Sequence, residues 1–392
     1  MSPPRQFLIN FVGDVMLGRL VDQLFPTHVL EPSEASIVAT LLTRHPSLRD
    51  YGPEHPWGST LRLFHSSDVN LINLETAATT HAVKWRNKAF NFRMHPANVA
   101  ALSAAHVDFA NLANNHVLDF HEEGMYETVT TLRNAGISFA GAGESAEEGM
   151  RPAVLEIPRD RRTSSGRSSG ETDRGPLLRI FSASDHPVSW SSVPAFRLID
   201  YSEPTRNHLR DTILPQTRHQ TADEPSPATL NVFSVHWGPN YSWSPAPLIR
   251  SLAHFLIDEC GIDIIHGHSA HHIQGVEIYK GKLILYGCGD FVDDYAVSPG
   301  YRNDLGAVWR VTATEDAEGM AKGSLGLKTL EVFPTRNLLF QAGLMRPDEE
   351  GHQWVRSTLM RLCGELGTEV ASELGDEGQL VIDIEGHKSH TH

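Results

Sequence analysis

Short, almost wholly apolar runs recur along the chain, and several of them stop at a residue able to carry chemistry. Residues 6–12 run into Gly13-Asp14, residues 69–73 into Leu74-Glu75, and residues 107–113 into Asn114-Asn115-His116. Residues 229–235 deliver His236-Trp237-Gly238, and residues 262–265 lead into Gly267-His268-Ser269-Ala270-His271-His272. Runs this short, rich in Val, Ile and Phe and closed by turn-forming residues, predict buried strands. Residues 137–140 and 177–183 predict two more. Between them lie helical patterns at 96–105, with Pro96 in the first turn, at 122–134, closed by Gly136, and at 246–259. Strand, helix, strand in this order predicts parallel βαβ units.

Further along, the pattern becomes antiparallel. Residues 275–279 and 282–286, joined by Lys280-Gly281, predict a hairpin. Residues 305–312 and 327–333 predict an antiparallel pair, 353–366 an amphipathic helix and 379–384 a late strand. The class expected is therefore α/β mixed with α+β. Residues 27–57 predict a loop-rich insertion around a short helix at 33–44, and 189–227 a lid or long loop. Residues 159–175 are Arg, Ser and Gly with almost nothing apolar, which predicts a flexible insertion. The division expected is one large domain over 1–345, then a helix-and-strand extension over 346–392 with a disordered His-rich tail after Gly386. Gly141-Ala142-Gly143 lacks the spacing of a dinucleotide loop.

Composition changes this picture in a few places. With 392 residues, 40% of them hydrophobic, the chain can bury a large core. A net charge of −15 with no basic face excludes a nucleic-acid binder. It also means that an anionic partner needs a local cationic centre, which a metal ion would supply. The three cysteines, Cys260, Cys288 and Cys363, form neither a disulfide framework nor a zinc motif. No signal peptide and no membrane-spanning run is expected, so the expected location is the cytoplasm. Asp14, Glu75, Asn115, His236, His268 and His271 mix oxygen and nitrogen donors in the way that Mn, Fe or Zn accepts. Such a set at strand ends predicts a hydrolytic centre with one or two divalent transition metal ions.

The ordered motifs Gly13-Asp14-Val15-Met16, Asn73-Leu74-Glu75, Ala113-Asn114-Asn115-His116 with Asp119, His236-Trp237-Gly238 with Tyr241, and Gly267-His268 with His271 and Gln274 resemble the CapA/PgsA family. These are poly-γ-glutamate capsule synthesis proteins within the calcineurin-like metallophosphoesterase superfamily. The resemblance runs from about Phe7 to Phe291. It implies a four-layer fold, two mixed β-sheets sandwiched by helices. It implies that Asp14 and His271 hold one metal, that Asn115, His236 and His268 hold another, and that Glu75, or Asn73 in its place, bridges them. His116 would protonate a leaving group and Asp119 would orient it. Lys88 and Arg93, from a basic stretch among aromatics, would bind a carboxylate or phosphate, with Trp237 and Tyr241 on the substrate side. The activity implied is hydrolysis of a phosphoester or an amide in poly-γ-glutamate-like metabolism. The other reading is a non-catalytic accessory protein that binds a glutamyl polymer or an anionic small molecule. The chain departs from the pattern at Met16, where phosphoesterases usually carry His, at Ser269-Ala270, at Asn240, where Glu is usual, and at Asp290, where the family usually carries Asn. Asp290 could ligate, hold His271 or cap a loop.

Overall fold

Two mixed β-sheets face each other across an apolar seam, and helices cover their outer faces. The computed structural model describes residues 5–158, 175–217, 227–315 and 325–387. The first sheet has nine strands, with Gln6–Val15 at its centre. Val69–Leu74 and Asp290–Val292 pair with that strand in parallel, and Leu305–Glu315 pairs with it antiparallel. The second sheet has six strands, with Thr229–His236 flanked in parallel by Ile264–His268 and Leu177–Ser184.

Period-two alternation sorts each strand between two buried environments. Phe7, Ile9 and Phe11 point into the seam, where they meet Leu178, Ile180, Leu230, Val232 and Ile264 of the facing sheet. Val12, Val15 and Ile72 face the other way, in one cluster with Met125, Val129 and Leu132 of helix His121–Asn134. On the far side, Phe181, Phe233 and Ile265 pack with Leu252 and Leu256 of helix Pro247–Cys260. The result is the α/β/β/α layering expected. Because both faces of the central strands are covered, their sequences read as continuous apolar runs.

One element differs from expectation. Residues 189–227 were to form a lid or long loop, yet they contain the helix Glu203–Thr217. Its apolar stripe consists of little more than Leu209 and Ile213, one turn apart, and Pro215 lies inside it. So thin a stripe is buried only because Pro247–Cys260 packs alongside, a partner that no local pattern reveals. Of the expected insertion at 159–175, all but Gly175 lies outside the described residues, as does the tail from 388 onward. The antiparallel pair, the Lys280-Gly281 hairpin and the late strand are all present. Among the described residues no helix is long and apolar enough to cross a membrane.

Leu380–Asp383 joins the first sheet beside Leu325–Asn337. Leu380 and Ile382, with Val355 and Leu359 of helix Glu350–Glu365, belong to the cluster that fills the seam. Burying four such side chains contributes about 1.5–3 kcal/mol each. That is comparable with the whole stability of a domain, about 5–15 kcal/mol. A chain ending at Met345 is therefore expected not to fold cooperatively, as read by circular dichroism through a thermal melt. A truncated chain that melts within a few degrees of the full one would show that residues 346–392 are an independent extension.

Candidate metal centre

The parallel strands of both sheets end at the same edge, and their last residues converge there. Asp14 lies in register with Asn73 on one side and Asp290 on the other. In the facing sheet, His236 and His268 are register partners. The strands approach so closely that only glycine fits at two points. A Cβ on Gly13 would lie 1.8 Å from the Gly289 carbonyl oxygen, and one on Gly267 would lie 2.3 Å from that of Tyr286.

Nδ1 of His236 and Nδ1 of His268 face each other at 2.9 Å. Glu75 sits between the two halves of the group, its Oε2 3.7 Å from His236 Nδ1 and its Oε1 3.9 Å from His116 Nε2. On the other side, His271 Nδ1 is 2.8 Å from Asp290 Oδ1 and 3.6 Å from Asp14 Oδ2. The Asn73 amide donates to Asp14 Oδ1 at 2.7 Å and also to Glu75 Oε2, so Asn73 ties the two carboxylates together. Its own oxygen accepts from Asn111 and Asn114 at 2.7 and 3.0 Å. Asn114 in turn accepts from the backbone N–H of His116 and Val117, which sets the turn carrying Asn115 and His116.

Burial dominates the electrostatics. It pushes Asp14 up to about 7, with Asp290 beside it adding to the rise, and raises Glu75 well above the usual carboxylate range. It drives His236 and His268 well below 6.5, so both rings are neutral and present lone pairs. Burial also lowers His271, but Asp290, Asp14 and Glu75 outweigh it and raise that ring to about 10. Four oxygens in this region, Asp14 Oδ2, Glu75 Oε1, Asn115 Oδ1 and Asp290 Oδ2, are buried with no hydrogen-bond partner. Buried polar atoms are nearly always paired, and a bound ion is one of the recognised reasons for an exception. Asp14, His236 and His268 each offer a ligand atom within 4.8 Å of the others, and so do Asp14, His271 and Asp290. The residues present therefore fit a divalent metal, and its arrival would reverse the upward shifts of the carboxylates.

Beside this group opens a cavity of about 520 Å³, lined by Arg19, Lys88, Phe90, Asn115, His116 and Tyr241 among others. His116 Nδ1 contacts Asp119 Oδ2 at 2.5 Å and its ring stacks on Phe92, centroids 3.9 Å apart. Asp119 and the Lys88 ammonium, 3.0 Å from Nδ1, hold that side of the ring, and Nε2 turns toward Glu75. Burial pushes the ring down to about 4. Lys88 pairs with Asp119 and donates to the Asn115 carbonyl, so it reinforces this dyad as well as facing the cavity.

Two residues expected on the substrate side are engaged elsewhere. Arg93 does not line the cavity, because its guanidinium is taken up by Glu31 at 2.6 Å and the His81 carbonyl. Trp237 is 3% exposed; its indole N–H donates to the Tyr286 carbonyl at 2.9 Å and its ring stacks on Tyr286, which makes it a packing residue.

The profile of the family described as "Bacterial capsule synthesis protein PGA_cap" matches residues 8–295. The chain belongs to this family. It is 35% identical over 379 residues to a probable polyglutamine synthesis accessory protein of Mycobacterium tuberculosis, covering 92% of each chain. It is 25% identical over 289 residues to the capsule biosynthesis protein CapA of Bacillus anthracis, covering 73% of this chain and 59% of that one. Among solved structures it is similar to the calcineurin-like phosphoesterase YfkN of Bacillus subtilis, at 11% identity and a TM-score of 0.43, over 93% of this chain and 100% of that one.

Sequence reasoning passed over the support for these family motifs. His266 Nε2 reaches the Val12 carbonyl at 2.8 Å across the seam. Ser234 Oγ sits 3.0 Å from His266 Nδ1 and 3.2 Å from His268 Nε2, linking the rings in a chain. A histidine in an apolar run, two residues before another, was the available signal. Arg19 was also missed; it follows the first motif after only Leu17 and Gly18. His268→Ala is expected to remove most bound Mn or Zn in a calorimetric titration, and equal binding by both proteins would make the histidine cluster structural. Ser234→Ala, which leaves the ligand but frees its ring, should weaken binding about tenfold in the same titration.

Proposed function

We propose that the chain is a metal-dependent enzyme of the CapA/PgsA type that hydrolyses a phosphoester, or an amide of a glutamate-like substrate. The observation that carries this is the cluster of unpartnered, buried oxygens of Asp14, Glu75 and Asn115 between His236, His268 and His271, with the His116–Asp119 dyad at its edge. Asp14 and His271 would hold one ion, Asn115, His236 and His268 the other, and Glu75 would lie between. Mn, Fe or Zn suits these donors. When bound, such an ion supplies Lewis-acid polarisation of a phosphoryl or carbonyl oxygen.

The chain's own residues supply the rest. Asp119 fixes the His116 ring so that Nε2 meets a leaving-group oxygen or nitrogen in the cavity. A substrate anion there would raise the ring from its depressed value and let it carry the proton it delivers. Phe92 holds the imidazole plane, and Lys88 and Arg19 line the cavity with their charges already paired, to Asp119 and to Asp294. In a protein of net charge −15 a bound metal would therefore supply the attraction for an anionic substrate. The printed names of the relatives motivate the glutamyl character of that substrate.

A second reading is a non-catalytic accessory protein that binds a glutamyl polymer. Met16 favours it, since a buried thioether replaces an imidazole and its sulfur is engaged by the Gly18 N–H at 3.2 Å. The two readings part at His116. His116→Gln is expected to keep metal content unchanged while lowering turnover about a hundredfold. The loss should be smaller on an aryl phosphate, whose leaving group needs little protonation, than on an alkyl phosphate. Unchanged rates on both, with normal metal content, would take His116 out of the reaction; binding of a glutamyl oligomer without turnover would then favour the accessory role.

A further inference from the structure

We infer that Asp290 is a metal ligand in this chain, and that it makes the Asp14 half of the centre oxygen-rich and selective for a harder ion than the His236–His268 half. The inference rests on the metal-centre reading above. Of the residues predicted to bind, only Asp14 and His271 serve that half, and Asp14 also lies within 4.8 Å of His236 and His268, which leaves too few protein donors to hold an ion firmly. Met16, the nearby side chain that could have helped, is turned into the core with its sulfur on the Gly18 N–H. Asp290 stands directly beside Asp14 on a neighbouring parallel strand.

The backbone is built to bring it there. Asp14 N–H donates to the Gly289 carbonyl at 3.1 Å and Met16 N–H to the Val292 carbonyl at 2.9 Å. The Gly13–Gly289 approach excludes any side chain at 13, and a Cβ on Gly306 would lie 2.2 Å from the Asp290 carbonyl oxygen. Two carboxylates are thereby packed together at 1% and 2% exposure, an arrangement that repels unless positive charge lies between them, and the His271 ring lies against both. One oxygen of Asp290 receives His271; the other has no hydrogen-bond partner, and neither has Asp14 Oδ2, which lies 3.6 Å from His271 Nδ1. Donor atoms of Asp14, Asp290 and His271 lie within 4.8 Å of one another, which suits ligands about 2 Å from a shared ion. An acceptor for His271 needs one of these oxygens, and a ligand accounts for the second.

Two carboxylates and one imidazole favour Mn or Fe, whereas the paired imidazoles of His236 and His268 favour Zn. The test uses full-length protein stripped by a chelator, given one equivalent of Zn²⁺ and then titrated with Mn²⁺, with bound Mn²⁺ counted by electron paramagnetic resonance. Wild type should take up one Mn²⁺ beside the Zn²⁺. Asp290→Asn, isosteric and one negative charge lighter, should lose Mn²⁺ affinity by about tenfold or more while its Zn²⁺ affinity stays within about threefold. Its metal-free melting temperature should not fall. Equal Mn²⁺ affinity in the variant would overturn the inference and leave Asp14 and Asp290 sharing a proton. Wild type that binds neither ion would overturn the metal-centre reading itself, before any variant is made. Should Asp290→Asn not fold, anomalous scattering from Mn-soaked wild-type crystals decides: a peak in bonding contact with Asp290 supports the inference, and one held by Asp14 and His271 alone overturns it.

Discussion

Like charges buried together dominate this structure. Asp14, Glu75, Asp119 and Asp290 are almost wholly removed from water. Each buried ion costs on the order of several kcal/mol unless it is paired and hydrogen-bonded. The chain meets that cost by surrounding the group with oriented donors. Asn73 bridges two carboxylates, His271 lies against two, and Lys88 takes the fourth. Where the donors run out, oxygens are left facing one another, and those are the positions that fit a metal.

The two-sheet architecture follows from the same requirement. Neither sheet alone carries the candidate donor set: Asp14, Glu75, Asn115 and Asp290 come from the edge of the first, and His236, His268 and His271 from the edge of the second. The apolar seam holds the sheets at a fixed separation, and the His266 contact with the Val12 carbonyl stitches them at the level of the site. Small residues at the strand ends then allow the backbones to close in. Stability and chemistry are therefore hard to separate here, because Gly13 and Gly267 serve both.

Membership of the capsule synthesis family and the mycobacterial relative's name as a synthesis accessory protein sit beside a site for which hydrolysis is the function proposed. The two are compatible if the protein trims or releases a product of a synthesis carried out elsewhere. The mixed donor set bears on this. With ions held as proposed, an oxygen-rich and a nitrogen-rich half would polarise an anionic group while the dyad at the edge handles a proton.

The strands, most helices and the converging ligands were legible because each leaves a local trace. An apolar run ending in Asp14, Glu75 or His236 is visible in a window of ten residues, and the hairpin at Lys280-Gly281 in six. The contacts of Arg93 and Trp237 were not legible for a common reason. Residue type shows what a side chain can bind, but its partners, Glu31 for one and the Tyr286 carbonyl for the other, are distant in sequence. The helix Glu203–Thr217 was hidden because its two apolar anchors gain meaning only against Pro247–Cys260. Asp290 shows the division most clearly. The sequence by itself determined that an acid, Asp290, follows Gly289 and that a thioether, Met16, follows Asp14 by two; the family resemblance marks both as departures. Only the tertiary structure decided that this acid lies in register beside Asp14, because the pairing of strands so far apart in the chain is set by the packing of the whole seam.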